Sequence, residues 1–180
     1  MPACLDTKNH SRGCNQRVTG AWDARLASDM LYTPLLHPEV LSALARAGHG
    51  SRVLIADGNY PVTSESPTAA QKVFLNLRRG LVTVTDVLET LKTAIPIESA
   101  MVMSLPDGKS AAIHIEFQKL LPDGVRWIKR KRFQFYAEAK SAATTLVIAT
   151  GEERRFANLL LTIGVIRSAT HESADSPRLP

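Results

Sequence analysis

The sequence predicts an α/β chain: a single domain whose mostly parallel sheet is flanked by helices in a three-layer, Rossmann-like arrangement. Three observations predict it. Short, continuous apolar runs, such as residues 53–56 and 145–150, fit strands covered on both faces better than half-exposed ones. Segments with apolar residues at helical spacing separate these runs, so strands and helices alternate. At 180 residues and 44% hydrophobic content the chain is long enough for one sizeable core and too short for two comfortable domains.

Residues 1–28 mix Cys, Asn, Ser, Arg, Gly and Thr without a period, and few large aliphatics precede Leu26. Such a stretch buries too little to offset its ordering entropy. It reads as a disordered extension, or as an over-long reading of the gene, and the folded domain is expected over 29–167. Pro38 suits the first turn of a helix, and Val40, Leu41, Leu44 and Ala45 follow at helical spacing until Gly48. His37 reads as a surface or capping residue. A buried strand over 53–56 then runs between Gly50 and Gly58, entered through a bend in which the glycines at 48 and 50 suggest positive φ. Asp57, Asn59 and Tyr60 gather donors and acceptors at its carboxyl end, where open α/β sheets bind ligands.

Residues 62–68, rich in Thr, Ser, Glu and Pro, read as a loop long enough to fold over a pocket. A short strand is expected over 73–77, broken by Gly80. Thr85 is expected to cap a helix with Val87, Leu88, Leu91 and Ala94 on one side, closed by Ile95 and Pro96. A second buried strand follows over 100–104, then a turn at Pro106-Asp107-Gly108. Residues 111–121 read as a helix with a face of positions 113, 117, 120 and 121. That face leaves His114 and Lys119 sideways or outward, so His114 reads as a solvated or capping imidazole. Past the turn at Pro122-Asp123-Gly124, residues 133–143 read as a helix striped by Phe133, Tyr136, Ala137 and Lys140. Residues 145–150 read as an interior strand ended by Gly151, 158–163 as a last apolar run, and 168–180 as a polar tail.

The net charge of +5 owes most of its excess to Lys129, Arg130, Lys131 and Arg132. No helix-turn-helix or aromatic sheet motif accompanies this run, so it reads as solvated charge rather than a nucleic-acid surface. No apolar run approaches the roughly 20 residues that span a bilayer, and the first thirty residues are polar throughout. The expectation is a soluble, cytoplasmic protein with no membrane partner. Cys4 and Cys14 have no histidine pair at zinc spacing and read as incidental thiols, so no metal is expected.

His49, framed by two glycines, can both give and take a proton near neutral pH. Asp57 can accept hydrogen bonds or orient the imidazole, Arg132 presents a fixed fork of donors, and the Asn158 amide offers both polarities. Plainer readings stand beside each. His49 could cap the preceding helix, Asp57 could form an Asx turn, Arg132 could belong to the solvated run, and Phe156 could be core.

Three ordered blocks add to this reading. Gly48-His49-Gly50, followed by an apolar strand and Asp57-Gly58-Asn59-Tyr60-Pro61, is the first; Arg132-Phe133-Gln134-Phe135-Tyr136 is the second. The third runs from Thr150-Gly151-Glu152 through Phe156-Ala157-Asn158-Leu159-Leu160-Leu161 to Gly164-Val165-Ile166. Together they resemble the D-ribose pyranase / L-fucose mutarotase family from about Leu35 to Ile166. The resemblance implies interconversion of the anomers or ring forms of a reducing monosaccharide, fucose-like or ribose-like, with no cofactor. It implies that His49 is the proton donor and that Asp57, Arg132, Tyr136, Phe156, Ala157 and Asn158 bind the sugar. Arg132 points to the fucose branch, because the ribose branch carries a histidine there. Members form rings of subunits, commonly decamers, with pockets shared between neighbours, so a homo-oligomer is implied. Three departures stand out: Phe156 replaces the family's tyrosine, Ser51 stands where an acidic residue is frequent, and residues 136–150 form a slightly longer segment. A sugar-binding or sensing protein of the same fold, with reduced or no catalysis, is the alternative.

Overall fold

The computed structural model describes residue 31 and residues 33–166. The expectations for 1–28, for the two cysteines and for 168–180 lie outside the described residues. The alternating pattern becomes, in chain order, α1 (Pro38–Arg46), β1 (Arg52–Ala56), β2 (Gln71–Phe74), α2 (Val84–Leu91) and β3 (Ile97–Met103). Next come α3 (Ala112–Leu120), β4 (Arg126–Arg130), α4 (Arg132–Ala139), β5 (Thr144–Ala149) and β6 (Leu159–Ile163). Among the described residues, no helix is long and apolar enough to cross a membrane.

The strands form one sheet in the order β2-β5-β1-β6-β3-β4. The pairings β1/β5, β2/β5 and β3/β4 are parallel, while β6 runs antiparallel to both β1 and β3. The exception has a local cause. No helix separates β5 from β6, and without a crossover the chain can only turn at the sheet edge and run back. It therefore enters β6 from the edge where β1, β3 and β5 end.

Both faces of the sheet are covered. On one, α1, α2 and α3 pack Val40, Val84, Leu88, Leu91, Ile113 and Phe117 onto Val53, Ile55, Val102, Ile148, Leu159 and Leu161. On the other, α4 packs Phe135 and Ala139 with Tyr60 and Val62 onto Leu54, Met101, Val147 and Leu160. Alternation along β1 sends Val53 and Ile55 to one layer and Leu54 and Ala56 to the other, which is why the run is continuously apolar. The expected three-layer α/β fold is present.

Three local expectations are corrected, and one strand is found where none was expected. The helix cap is Thr83, not Thr85: its hydroxyl accepts from the Asp86 N–H at 3.2 Å while the Asp86 carboxylate accepts from the Thr83 N–H at 2.7 Å. This reciprocal box satisfies two otherwise orphaned donors, which a cap two residues later would leave unpaired. The basic run lies partly in β4, an edge strand whose charges blunt pairing with another sheet. In α4 the buried stripe is Phe135 and Ala139, whereas Phe133 is 82% exposed. The reason is that the helix starts at Arg132 and lies on the sheet through the other side of its first turn. Finally, His114 is fully buried rather than outward. Its ring lies between Phe117 and Trp127, at centroid distances of 6.3 and 6.0 Å.

Candidate active site

The carboxyl ends of the parallel strands and the amino end of β6 meet at one edge, and a cleft of about 550 Å³ opens there. Asp57 and Tyr60 follow β1, Met103 ends β3, Arg132 opens α4 just after β4, and Phe156 and Asn158 lead into β6. Of the residues expected from sequence, Asp57, Arg132, Tyr136, Phe156 and Asn158 line this cleft. Ala157 is fully buried behind it and contributes through its backbone.

Asp57 organises the floor. It is 4% exposed, and its carboxylate accepts from the Asn59 N–H at 3.0 Å, the Ala157 N–H at 3.3 Å and the Asn158 amide at 2.9 Å. The Asn158 amide oxygen accepts in turn from the Asp57 N–H at 2.9 Å. Asn158 thus spends one donor and one acceptor on Asp57 and keeps one N–H for a ligand. The bond to Asn59 is an Asx turn, so the plainer reading of Asp57 is true alongside its place in the cleft. Desolvation by burial pushes its carboxyl above the ordinary carboxylate value, against the backbone donors from Asn59 and Ala157 that pull it down.

The walls are aromatic and cationic. Tyr60 and Tyr136 meet edge to face at 5.4 Å, and the Tyr60 hydroxyl donates to the Glu65 carbonyl at 2.7 Å. Burial raises the Tyr60 phenol well above its ordinary value, keeping it neutral. The Arg155 guanidinium sits 5.7 Å from the Phe156 ring centroid, so the rim carries two guanidiniums, Arg132 and Arg155, beside the Glu153 carboxylate. Planar fork donors next to apolar ring faces match the mixed polar and C–H surface of a sugar.

Sequence reasoning missed Met103, Glu153 and Arg155. A signal exists for the last two: Glu152-Glu153-Arg154-Arg155 is a charged run directly before the 156–158 block, and burial alternates along it. Glu152 is 3% exposed and pairs with Arg154 at 2.7 Å, while Glu153 and Arg155 line the cleft. Burial alone would raise the Glu152 carboxyl, but the Arg154 hydrogen bonds and charge outweigh it and hold it below its ordinary value. Arg154 also reaches Glu116 of α3 at 2.6 Å, tying the loop before β6 to the helix layer.

His49 lies elsewhere. It sits before β1, half-exposed, with its Nε2 2.9 Å from a carboxylate oxygen of Glu98 at the start of β3. Gly50 does take positive φ, at 81°, as the bend required. Asp57 is at the other end of β1, and five residues of strand at ~3.3 Å each put the two on the order of 16 Å apart. One chain therefore assembles the carboxylate, amide, guanidinium and aromatic groups but not the imidazole.

His114, which sequence reasoning set aside, supports the cleft from behind. The Ala111 N–H donates to its Nδ1 at 3.2 Å, so it does cap α3, and its Nε2 lies 3.0 Å from the Phe156 carbonyl. Desolvation by burial lowers its proton affinity, against the Phe156 bond and together with the Lys129 charge. The unfolded chain then binds this proton more tightly than the folded one. Unfolding free energy is expected to be complete above about pH 6.5 and to fall as pH drops from there toward the depressed native value. Denaturant titrations between pH 5 and 8 check this: the wild type should show the slope, and His114→Leu should not.

Comparison with known proteins bears on these residues. The model of the RbsD / FucU transport protein family matches residues 30–166. Human fucose mutarotase is 34% identical over 145 residues, covering 73% of this chain and 90% of that protein. The crystal structure of FucU from Bifidobacterium longum superposes with a TM-score of 0.61 at 29% identity, covering 73% of this chain and 97% of that one. Bacillus subtilis RbsD, solved with D-ribose, gives a TM-score of 0.63 at 24% identity, covering 74% and 96%.

Proposed function

The chain belongs to the RbsD / FucU transport protein family, and from that premise we propose that it is a cofactor-free mutarotase acting on a fucose-like reducing monosaccharide through His49. The observation that carries this reading is the convergence of Asp57, Asn158, Arg132 and Tyr136 on one cleft, in a chain that is 34% identical to a fucose mutarotase.

The chemistry follows from the groups. Ring opening removes the proton of the anomeric hydroxyl while the ring oxygen gains one, and the bond between that oxygen and the anomeric carbon breaks to leave an open-chain aldehyde. Rotation about the adjacent carbon–carbon bond presents the other face of the carbonyl. Closure reverses both proton transfers, so nothing is consumed. An imidazole can both donate and accept a proton, so one side chain can serve in both directions. Asp57, the free Asn158 N–H and the Arg132 fork hold the hydroxyls while the aldehyde turns.

His49 and Asp57 occupy opposite ends of β1, so the imidazole that acts on a sugar held by Asp57 belongs to a neighbouring copy. The active form is then a closed ring of subunits, such as a decamer, with each cleft completed across an interface. Phe156 donates no hydrogen bond, which alters affinity by about 0.5–1.5 kcal/mol relative to a tyrosine.

Magnetisation transfer between the α- and β-anomer signals of pentoses, hexoses and deoxyhexoses tests the proposal. Added protein is expected to speed exchange for a fucose-like sugar. No acceleration for any of them overturns the proposal. Among the described residues no histidine lines one chain's cleft, which favours a second reading, a sugar-binding or sensing protein. It predicts saturable binding with no exchange, for the wild type and for His49→Ala alike.

A further inference from the structure

Phe156 has φ of 63°, in the left-handed region that an aromatic residue rarely occupies, and it lines the cleft. Such a conformation is strained for a residue with a side chain and persists only where its surroundings over-determine it. Here the peptide between Phe156 and Ala157 is gripped from both sides. Its carbonyl accepts from His114 Nε2 at 3.0 Å, and its N–H donates to the Asp57 carboxylate at 3.3 Å. Turning that peptide over would set the carbonyl against a carboxylate.

The tautomer of His114 is not free. Ala111 offers only an N–H, so Nδ1 must accept, and the ring proton is left on Nε2, aimed at the one carbonyl beside it. A line of bonds thus runs from the start of α3 through a fully buried imidazole to the residues that lead into β6. Among the described residues, the hydrogen bond that links the ring to the cleft is the one to this carbonyl.

We propose that His114 is a positioning residue: by donating to the Phe156 carbonyl it fixes the Phe156–Ala157 peptide, and with it the Phe156 ring and the Asn158 amide, in the geometry that receives the ligand. The claim about the peptide stands on the geometry alone; the claim about sugar rests on the function proposed above.

Three variants and two readouts test it. His114→Leu removes the donor, His114→Gln keeps one at the same reach, and Ala111→Pro removes only the N–H that fixes the tautomer. Ala111 has φ of −71°, which proline adopts without strain. Amide exchange at Ala157 is expected to quicken about tenfold or more in His114→Leu, the effect of orphaning a buried carbonyl. Sugar KM should rise by a similar factor with a smaller change in kcat. His114→Gln should bring both back near wild type, and Ala111→Pro should fall between. Should His114→Leu fail to fold, Ala111→Pro and His114→Gln still decide. Unchanged Ala157 exchange and KM in Ala111→Pro overturn the proposal, as do equal losses in the Leu and Gln variants. If the wild type turns over no sugar while Ala157 exchange follows the expected order, the function above fails and the positioning role survives.

Discussion

His49→Ala is expected to lower the rate of anomer exchange by about 10²–10⁴-fold, the range spanned by a positioned general acid or base. Stability should hardly move. The His49 side chain is 60% exposed, and its one polar partner, Glu98, is 42% exposed. An ion pair that open to solvent contributes at most a few tenths of a kcal/mol after screening. Sugar binding should survive as well, because Asp57, Arg132 and Asn158 lie at the far end of β1. Exchange kinetics beside a binding isotherm check this. A variant that binds and turns over as the wild type does removes His49 from the mechanism.

Asp57→Ala is expected to abolish sugar binding and also to lower unfolding free energy by about 2–4 kcal/mol, measured by denaturant titration. Three donors converge on this carboxylate, from Asn59, Ala157 and Asn158. Each buried donor left without an acceptor costs about 1–3 kcal/mol. Two effects reduce the sum. Water enters the opened space, and a desolvated charge is lost from a group whose pKa burial has raised. The sign of that last effect is definite. A carboxyl raised in the native state contributes stability below its ordinary value that is lost as pH rises through the native one, so ionising Asp57 leaves the fold less stable than it is with that carboxyl protonated. The contrast with His49→Ala is therefore diagnostic: one loses chemistry alone, the other binding and stability together.

How legible the molecule was differs from residue to residue. Strand β1 could be read because a continuous apolar run this short, held between glycines, fits little besides a strand covered on both faces, and both faces are covered. Strand β4 could not. Arg126–Arg130 lies at the sheet edge, where charge is tolerated, so its composition resembles a solvated loop. The direction of β6 depends on the absence of a helix after β5, a matter of connectivity and not of any residue within 158–163.

The cleft residues after β1 and before β6 were legible as short polar blocks bordering apolar runs. His114 was misjudged because helical periodicity was anchored on positions 113 and 117. The ring at 114 lies on the same buried side, and its polar atoms are satisfied by a cap and a distant carbonyl that no local pattern encodes. Likewise, nothing in Gly48-His49-Gly50 says that the imidazole and Asp57 face opposite ends of the sheet. That follows only from counting residues along the strand between them.

The most direct measurement mixes two inactive variants. His49→Ala and Asp57→Ala, each purified alone, are expected to leave anomer exchange near the uncatalysed rate. Unfolded together and refolded as a mixed ring, they should regain up to about one quarter of wild-type activity, because a cleft works when one neighbour keeps its imidazole and the other its carboxylate. A mixture that assembles as the wild type does yet stays inactive would contradict a site shared between copies.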